Sequence, residues 1–150
     1  MNLETIQQNA VIQHRTICMF NDIIRSNLSS INRENLKLPF EVEFNFSDIE
    51  HKLEIKYFEK KYVLHASIFK NNDIASDKST FCKYSFYIET KKYDTNFVVH
   101  KVEEETKYRL YMNSIGNIAE DENFKVLVFD DFLNAVKRLL LIMINEFQLA

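Results

Sequence analysis

Glycine and proline are almost missing: the chain of 150 residues has one of each, Gly116 and Pro39. Phosphate-binding loops need glycines where backbone closes on a ligand, so a P-loop and a dinucleotide fingerprint are excluded. A single glycine cannot build a G-x-S-x-G nucleophile elbow either. Tryptophan is absent, and cysteine is limited to Cys18 and Cys82. Neither belongs to a C-x-x-C pair. Both read as free, buried thiols of a reducing compartment, Cys18 on a helix and Cys82 on a strand. The first residues, Met1 to Ile6, offer neither a charged n-region nor an apolar h-region, so no signal peptide is expected. The most apolar run, Leu139 to Ile144, falls far short of the roughly 20 residues that cross a bilayer. A cytoplasmic chain without a membrane segment is the expectation. The net charge of −3 disfavours non-specific binding to nucleic acid or anionic membrane, and it permits a basic protein partner.

What is present points to one domain over residues 1–150. Leu3, Ile6, Ala10, His14, Ile17, Phe20, Ile24 and Leu28 recur in steps of three and four, which predicts a helix from the Asn2 cap to about Asn27. The polar stretch from Ser29 to Asn35 then frays the helix or adds a short turn. From Phe40 the period becomes two. Phe40, Val42, Phe44 and Phe46 form a half-buried strand. Leu53, Ile55 and Tyr57 pair as a hairpin with Tyr62, Leu64, Ala66 and Ile68. Asn71 to Ser79 reads as a polar loop. Cys82, Tyr84, Phe86 and Ile88 form the next strand, with a turn at Lys91 to Thr95. Phe97 to Val102 and Tyr108 to Met112 follow as two strands joined by Glu103-Glu104-Glu105-Thr106. A loop from Asn113 to Asn123 precedes a short strand at Phe124, Val126 and Val128. Asp130 or Asp131 caps a last helix to about Leu149, with Phe132, Val136, Leu139, Leu140, Met143 and Phe147 on its inner stripe. Leu141, Ile142 and Ile144 make that helix apolar all round, so it needs cover on a second side. The class is α+β: a long N-terminal helix, an antiparallel β-meander of about five to seven strands, and an apolar C-terminal helix packed on the sheet.

No catalytic or metal motif stands out, and no cofactor is expected. No two of His14, His51, His65 and His100 share the i, i+4 helical spacing that local zinc pairs use. His65 and His100 lie on strands and could meet across the sheet as an acid–base pair. His14 falls on the apolar stripe of the first helix, as a core or interface histidine. Carboxylates gather in two runs, Glu103-Glu104-Glu105 and Glu120-Asp121-Glu122, which read as solvated loops able to face a basic partner. Lysines interleave with tyrosines, as in Lys56 to Tyr62, but most of the tyrosines share the parity of the core. Tyr87 and Tyr111 have the other parity and would be exposed anchors on a bare sheet face.

These features favour a non-catalytic protein-interaction module, acting as an inhibitor, immunity-type protein or adaptor that blocks a partner surface. Its binding residues would be Glu103, Glu104, Glu105, Glu120, Asp121, Glu122, Tyr87 and Tyr111. A chaperone-like or apolar-ligand-holding protein is one alternative, and an enzyme with a dispersed His65/His100/carboxylate site is another. A homodimer through one of the terminal helices is also expected, because the first has apolar residues near heptad spacing, interrupted by Gln13 and Asn27, and the last has more apolar surface than one contact covers.

Overall fold

The computed structural model describes residues 2–70, 80–128 and 131–146. Helix α1 spans Leu3–Ser29. Asn2 starts it: its backbone is extended and its Oδ1 accepts the Thr5 amide at 2.8 Å, which satisfies one of the unpaired donors of the first turn. A one-turn helix, α2 (Arg33–Leu36), follows its own cap at Asn32 and ends at Lys37 in a left-handed conformation. The predicted second short turn is this element.

Among the described residues the sheet has seven strands: β1 (Glu43–Ser47), β2 (Lys52–Tyr57), β3 (Lys60–Lys70), β4 (Thr80–Tyr93), β5 (Val99–Asn113), β6 (Ile118–Ala119) and β7 (Leu127–Val128). They lie in chain order, and each neighbouring pair is antiparallel. Helix α3 (Phe132–Glu146) closes the architecture, which is α+β as expected. Asp131 caps it by accepting the Asn134 amide at 2.8 Å. Asp130 and Phe147 lie outside the described residues, as does the predicted loop from Asn71 to Ser79.

Strand register explains the core. Leu53, Leu64 and Phe86 stand in one row across β2, β3 and β4. Ala66, Tyr84 and Leu110 form the next row, then Cys82, Met112, Ile118 and Val128. Side chains alternate between faces along a strand, so these rows share one face. Onto this inner face pack Phe20, Ile24 and Leu28 of α1 and Val136, Leu140 and Met143 of α3. The Tyr84 ring meets Phe132 at 4.7 Å, and its hydroxyl accepts the Asn27 amide group at 2.9 Å. That bond matters because a buried phenol without a partner costs about 1–3 kcal/mol. Burial pushes the Cys82 thiol up to about 12, so it is an inert core thiol. The second side of α3 is covered in part by the α2 region: Leu36 and Leu38 join the core, and Lys137 donates to the Lys37 carbonyl at 3.4 Å.

Four expectations need correction. First, Glu103-Glu104-Glu105 is not a loop, because β5 runs unbroken from Val99 to Asn113. The β4–β5 ribbon continues beyond the core, where both faces are wet and the apolar alternation that betrays a strand disappears. Its register slips once, with Ser85 opposite Arg109 but Tyr87 opposite Glu105. Such a bulge places extra residues in β5, here around Thr106, whose hydroxyl accepts the Tyr108 amide at 3.1 Å. Second, Cys18 is exposed, not buried. Third, His14 is exposed, which removes the core alternative and leaves the interface one. Both follow from α1 extending past the sheet: a helical period reveals an apolar face, not how far its support reaches. Fourth, Tyr111 is only 5% exposed. The outer face of the sheet is not bare where Tyr111 stands, because the Phe81 ring meets it at 5.4 Å.

Candidate interaction surfaces

The outer face of the sheet carries the residues of opposite parity. Lys52, His65, Ser85 and Arg109 form one row, and Glu54, Val63, Tyr87 and Glu105 the next. A lattice of ion pairs crosses these rows. Lys61 Nζ lies 3.1 Å from Glu54 and 3.0 Å from Glu89. Lys52 bonds Glu50 at 2.8 Å, and Lys83 reaches Glu105 at 3.4 Å. Lysine stems lie along the sheet while their heads pair at the surface, so Val63 and Ser85 are buried within this polar part of the face. Burial pulls Lys61 down, but its bonds to Glu89 and Glu54 outweigh this and its pKa is raised. Burial likewise opposes the charge on Glu89, yet its bond to Lys61 holds its carboxyl below the usual range.

The predicted acidic patch is divided by the pleat of β5. Glu103 and Glu105 oppose Glu89 and Tyr87 of the outer face, whereas Glu104 opposes Ile88 and pairs with Lys92 at 2.6 Å. The second run is equally dispersed. Glu120 and Glu122 are exposed, but Asp121 holds a turn. Its two oxygens accept the amides of Val126 at 2.8 Å and Lys125 at 3.1 Å, and these bonds lower its pKa. That turn brings Phe124 to 6.1 Å from Phe81, whose ring also meets Tyr111 at 5.4 Å and stacks on Phe69 at 5.9 Å. Tyr111 is therefore part of a small outer core. Tyr87 is half-buried, edge-on to His65 at 6.0 Å.

His65 and His100 are not brought together. His65 is opposite Ser85 and His100 opposite Lys92, which separates them by roughly 20 Å along β4. His100 instead approaches Asp94 at 3.0 Å. Asp94 organises the β4–β5 turn, accepting the amides of Asn96 at 2.8 Å and Val98 at 2.9 Å. The neighbouring His100, with these amides, holds Asp94 below the usual carboxylate range. Phe97 completes the turn at φ 61°, left-handed and 87% exposed. Among the described residues, no group of three or more His, Cys, Asp or Glu is placed to hold a metal ion.

Apolar surface collects in two other places. A cleft of about 680 Å³ runs beside the edge strand β1, where Phe40 meets Tyr57 at 5.2 Å and Tyr57 meets Phe58 at 4.7 Å. Arg33, Glu41, Glu43 and Lys56 rim it. The second is the first two-thirds of α1. Leu3, Ile6, Ala10 and Ile17 continue the line of Phe20, Ile24 and Leu28 along the helix, yet all residues from Leu3 to Met19 are exposed except the half-buried Thr16. Leu3 is 78% and Ile12 61% exposed. This arm is about 25 Å long at 1.5 Å per residue. It also carries a pair that the expectation of a buried Cys18 hides: His14 Nε2 and Cys18 Sγ, one turn apart, lie 3.6 Å from each other. The spacing H-x-x-x-C was visible in the sequence.

No helix among the described residues is long and apolar enough to cross a membrane. Comparison with family models, curated proteins and solved structures found no match.

Proposed function

We propose that the protein is a non-catalytic interaction module of the inhibitor, immunity or adaptor type, and that the α1 arm is its main binding surface. The observation that carries this reading is the continuous apolar stripe of α1, buried at Phe20, Ile24 and Leu28 but in water from Leu3 to Met19. A helix without tertiary support is marginal in water at this length, so a partner that covers the stripe would stabilise it. Helix-in-groove and helix-on-helix recognition both read such a face through residues at i, i+3 and i+4. The acidic runs contribute less to binding in this reading, because Glu104 and Glu105 already pair with Lys92 and Lys83.

The test is affinity capture from lysate of the source organism with three proteins side by side. They are the wild type, a variant with Leu3, Ile6 and Ile17 changed to Gln, and one with Glu103, Glu104 and Glu105 changed to Lys. The expected result is a stoichiometric partner, lost from the first variant and kept by the second. Loss only from the Glu→Lys variant would move the site to β5. Absence of any partner, self included, would overturn the reading. The chaperone-like or ligand-holding alternative draws support from the aromatic cleft beside β1. Binding of a hydrophobic dye to the native protein, abolished by Phe58→Ser, would favour it.

A further inference from the structure

We infer that His14 and Cys18 form half of a tetrahedral metal site that a second copy of the chain completes, joining two α1 arms around a zinc ion. The inference rests on the arm being a binding surface, and it names the occupant.

Residues four apart on a helix stand one above the other on the same face. His14 and Cys18 have this relation, and their ligating atoms are 3.6 Å apart. Zinc binds thiolate sulfur at about 2.3 Å and imidazole nitrogen at about 2.0–2.1 Å in a tetrahedron, which sets the sulfur–nitrogen edge at about 3.5 Å. The pair therefore spans one edge of the polyhedron without a change of backbone. On binding, Cys18 releases its thiol proton to solvent and coordinates as thiolate. His14 coordinates as neutral imidazole through Nε2.

The second copy follows from ligand number. A structural zinc site is closed by four protein ligands. The chain supplies two here, and among the described residues no third His, Cys, Asp or Glu completes a cluster with them. Cys82 is buried in the core and cannot contribute. A two-fold axis doubles whatever one chain offers, so an antiparallel crossing of two arms at this turn yields a His₂Cys₂ set. Both residues are exposed, and the arm around them is free of the sheet, so a second helix can approach to the usual 8–10 Å separation. The apolar stripe lies beside the pair, with Ile17 and Ala10 at the crossing. That gives the metal contact a desolvated flank.

The experiment uses the whole chain under a thiol-sparing reductant. Light scattering at micromolar protein is recorded with a chelator and with added zinc, and cobalt(II) replaces zinc for absorption spectroscopy. The expected result is a monomer with chelator and an apparent mass about doubled with zinc. Cobalt should give thiolate-to-metal charge transfer and the d–d bands of a tetrahedral site, saturating at about one metal per pair of chains. Cys18→Ser and His14→Ala should abolish both, with melting curves like the wild type because neither side chain packs in the core. A chain that stays monomeric with zinc would overturn the inference, as would cobalt bound one per chain without a change in mass. A dimer that ignores chelator and both variants, but is lost on Ile6→Gln, would also overturn the metal site while leaving the arm as a binding surface. A monomer that captures nothing from lysate would remove both readings.

Discussion

Helix α1 divides at Met19 into two parts that share one sequence pattern and have different surroundings. From Phe20 to Ser29 the apolar stripe faces the sheet, and Phe20, Ile24 and Leu28 are fully buried. From Leu3 to Met19 the same stripe meets water. The buried part is held by tertiary packing. Among the described residues the free part has local support, from the Asn2 cap and from Glu4 in the first turn, where an acid complements the helix dipole. The comparison teaches that periodicity specifies a face and leaves its partner open. In this chain one half of the face is satisfied internally and the other is available.

The sharpest way to break this division is a pair of truncations. Phe20→Ala should cost about 3–5 kcal/mol of unfolding free energy. Ile6→Ala should change it by no more than about 0.5 kcal/mol. Urea denaturation of the metal-free monomer checks both, and comparable losses would show that the arm packs on the body. Next in size is Tyr84→Phe, which strands the Asn27 amide group and should cost about 1 kcal/mol. Asn27 is where α1 is fastened to β4, so this variant should also loosen the last turns of α1 in amide exchange.

Acid should test the outer face in the same way. Glu89 has a carboxyl held below its usual range when folded. Its contribution is therefore fully present above the unfolded value, near pH 4, and is lost as pH falls through the lower folded value. Thermal melts between pH 6 and pH 3 should show a decline in this window that Glu89→Gln flattens. An unchanged decline would mean that the Lys61–Glu89 pair adds nothing to stability. The smallest expected effect is a gain. Phe97 sits exposed in a left-handed turn, a conformation that costs a residue with a Cβ roughly 1–2 kcal/mol. Phe97→Gly should raise the unfolding free energy in urea denaturation by up to about 1 kcal/mol, since glycine gives back part of the gain as unfolded-state entropy.

Much of the architecture was legible. The Asn2 cap, the change of period at Phe40, the inner parity of Leu64, Tyr84 and Leu110, and the Asp131 cap are local signals, and local signals survive in sequence. What was not legible depended on distant chain segments. Glu103, Glu104 and Glu105 looked like a loop because a ribbon standing in water has no apolar face to alternate. Tyr111 looked exposed because the outer core it joins through Phe81 is extended by Phe124, which arrives through a turn that Asp121 holds with backbone bonds. Asp121 itself looked like a partner-facing acid for the same reason. Cys18 looked buried because its neighbours on the helix were apolar, and the place where the sheet ends is not written in α1. The scarcity of glycine was legible and its consequence was not: Lys37, His51, Phe58, Phe97 and Phe124 all take positive φ where glycine would serve.

The chain order of the sheet bears on how the molecule assembles in time. Each strand bonds only to strands adjacent to it in sequence, so the ladder can grow from the long β4–β5 hairpin outward, one short closure after another. Sheet proteins fold slowly when their strands must find distant partners, and a meander avoids that search. The pairings that span the chain are those of the helices, as when Asn27 meets Tyr84 and Met112. Docking of α1 and α3 therefore closes the longest loops of the fold, and the exposed arm from Leu3 to Met19 adds none of its own to them.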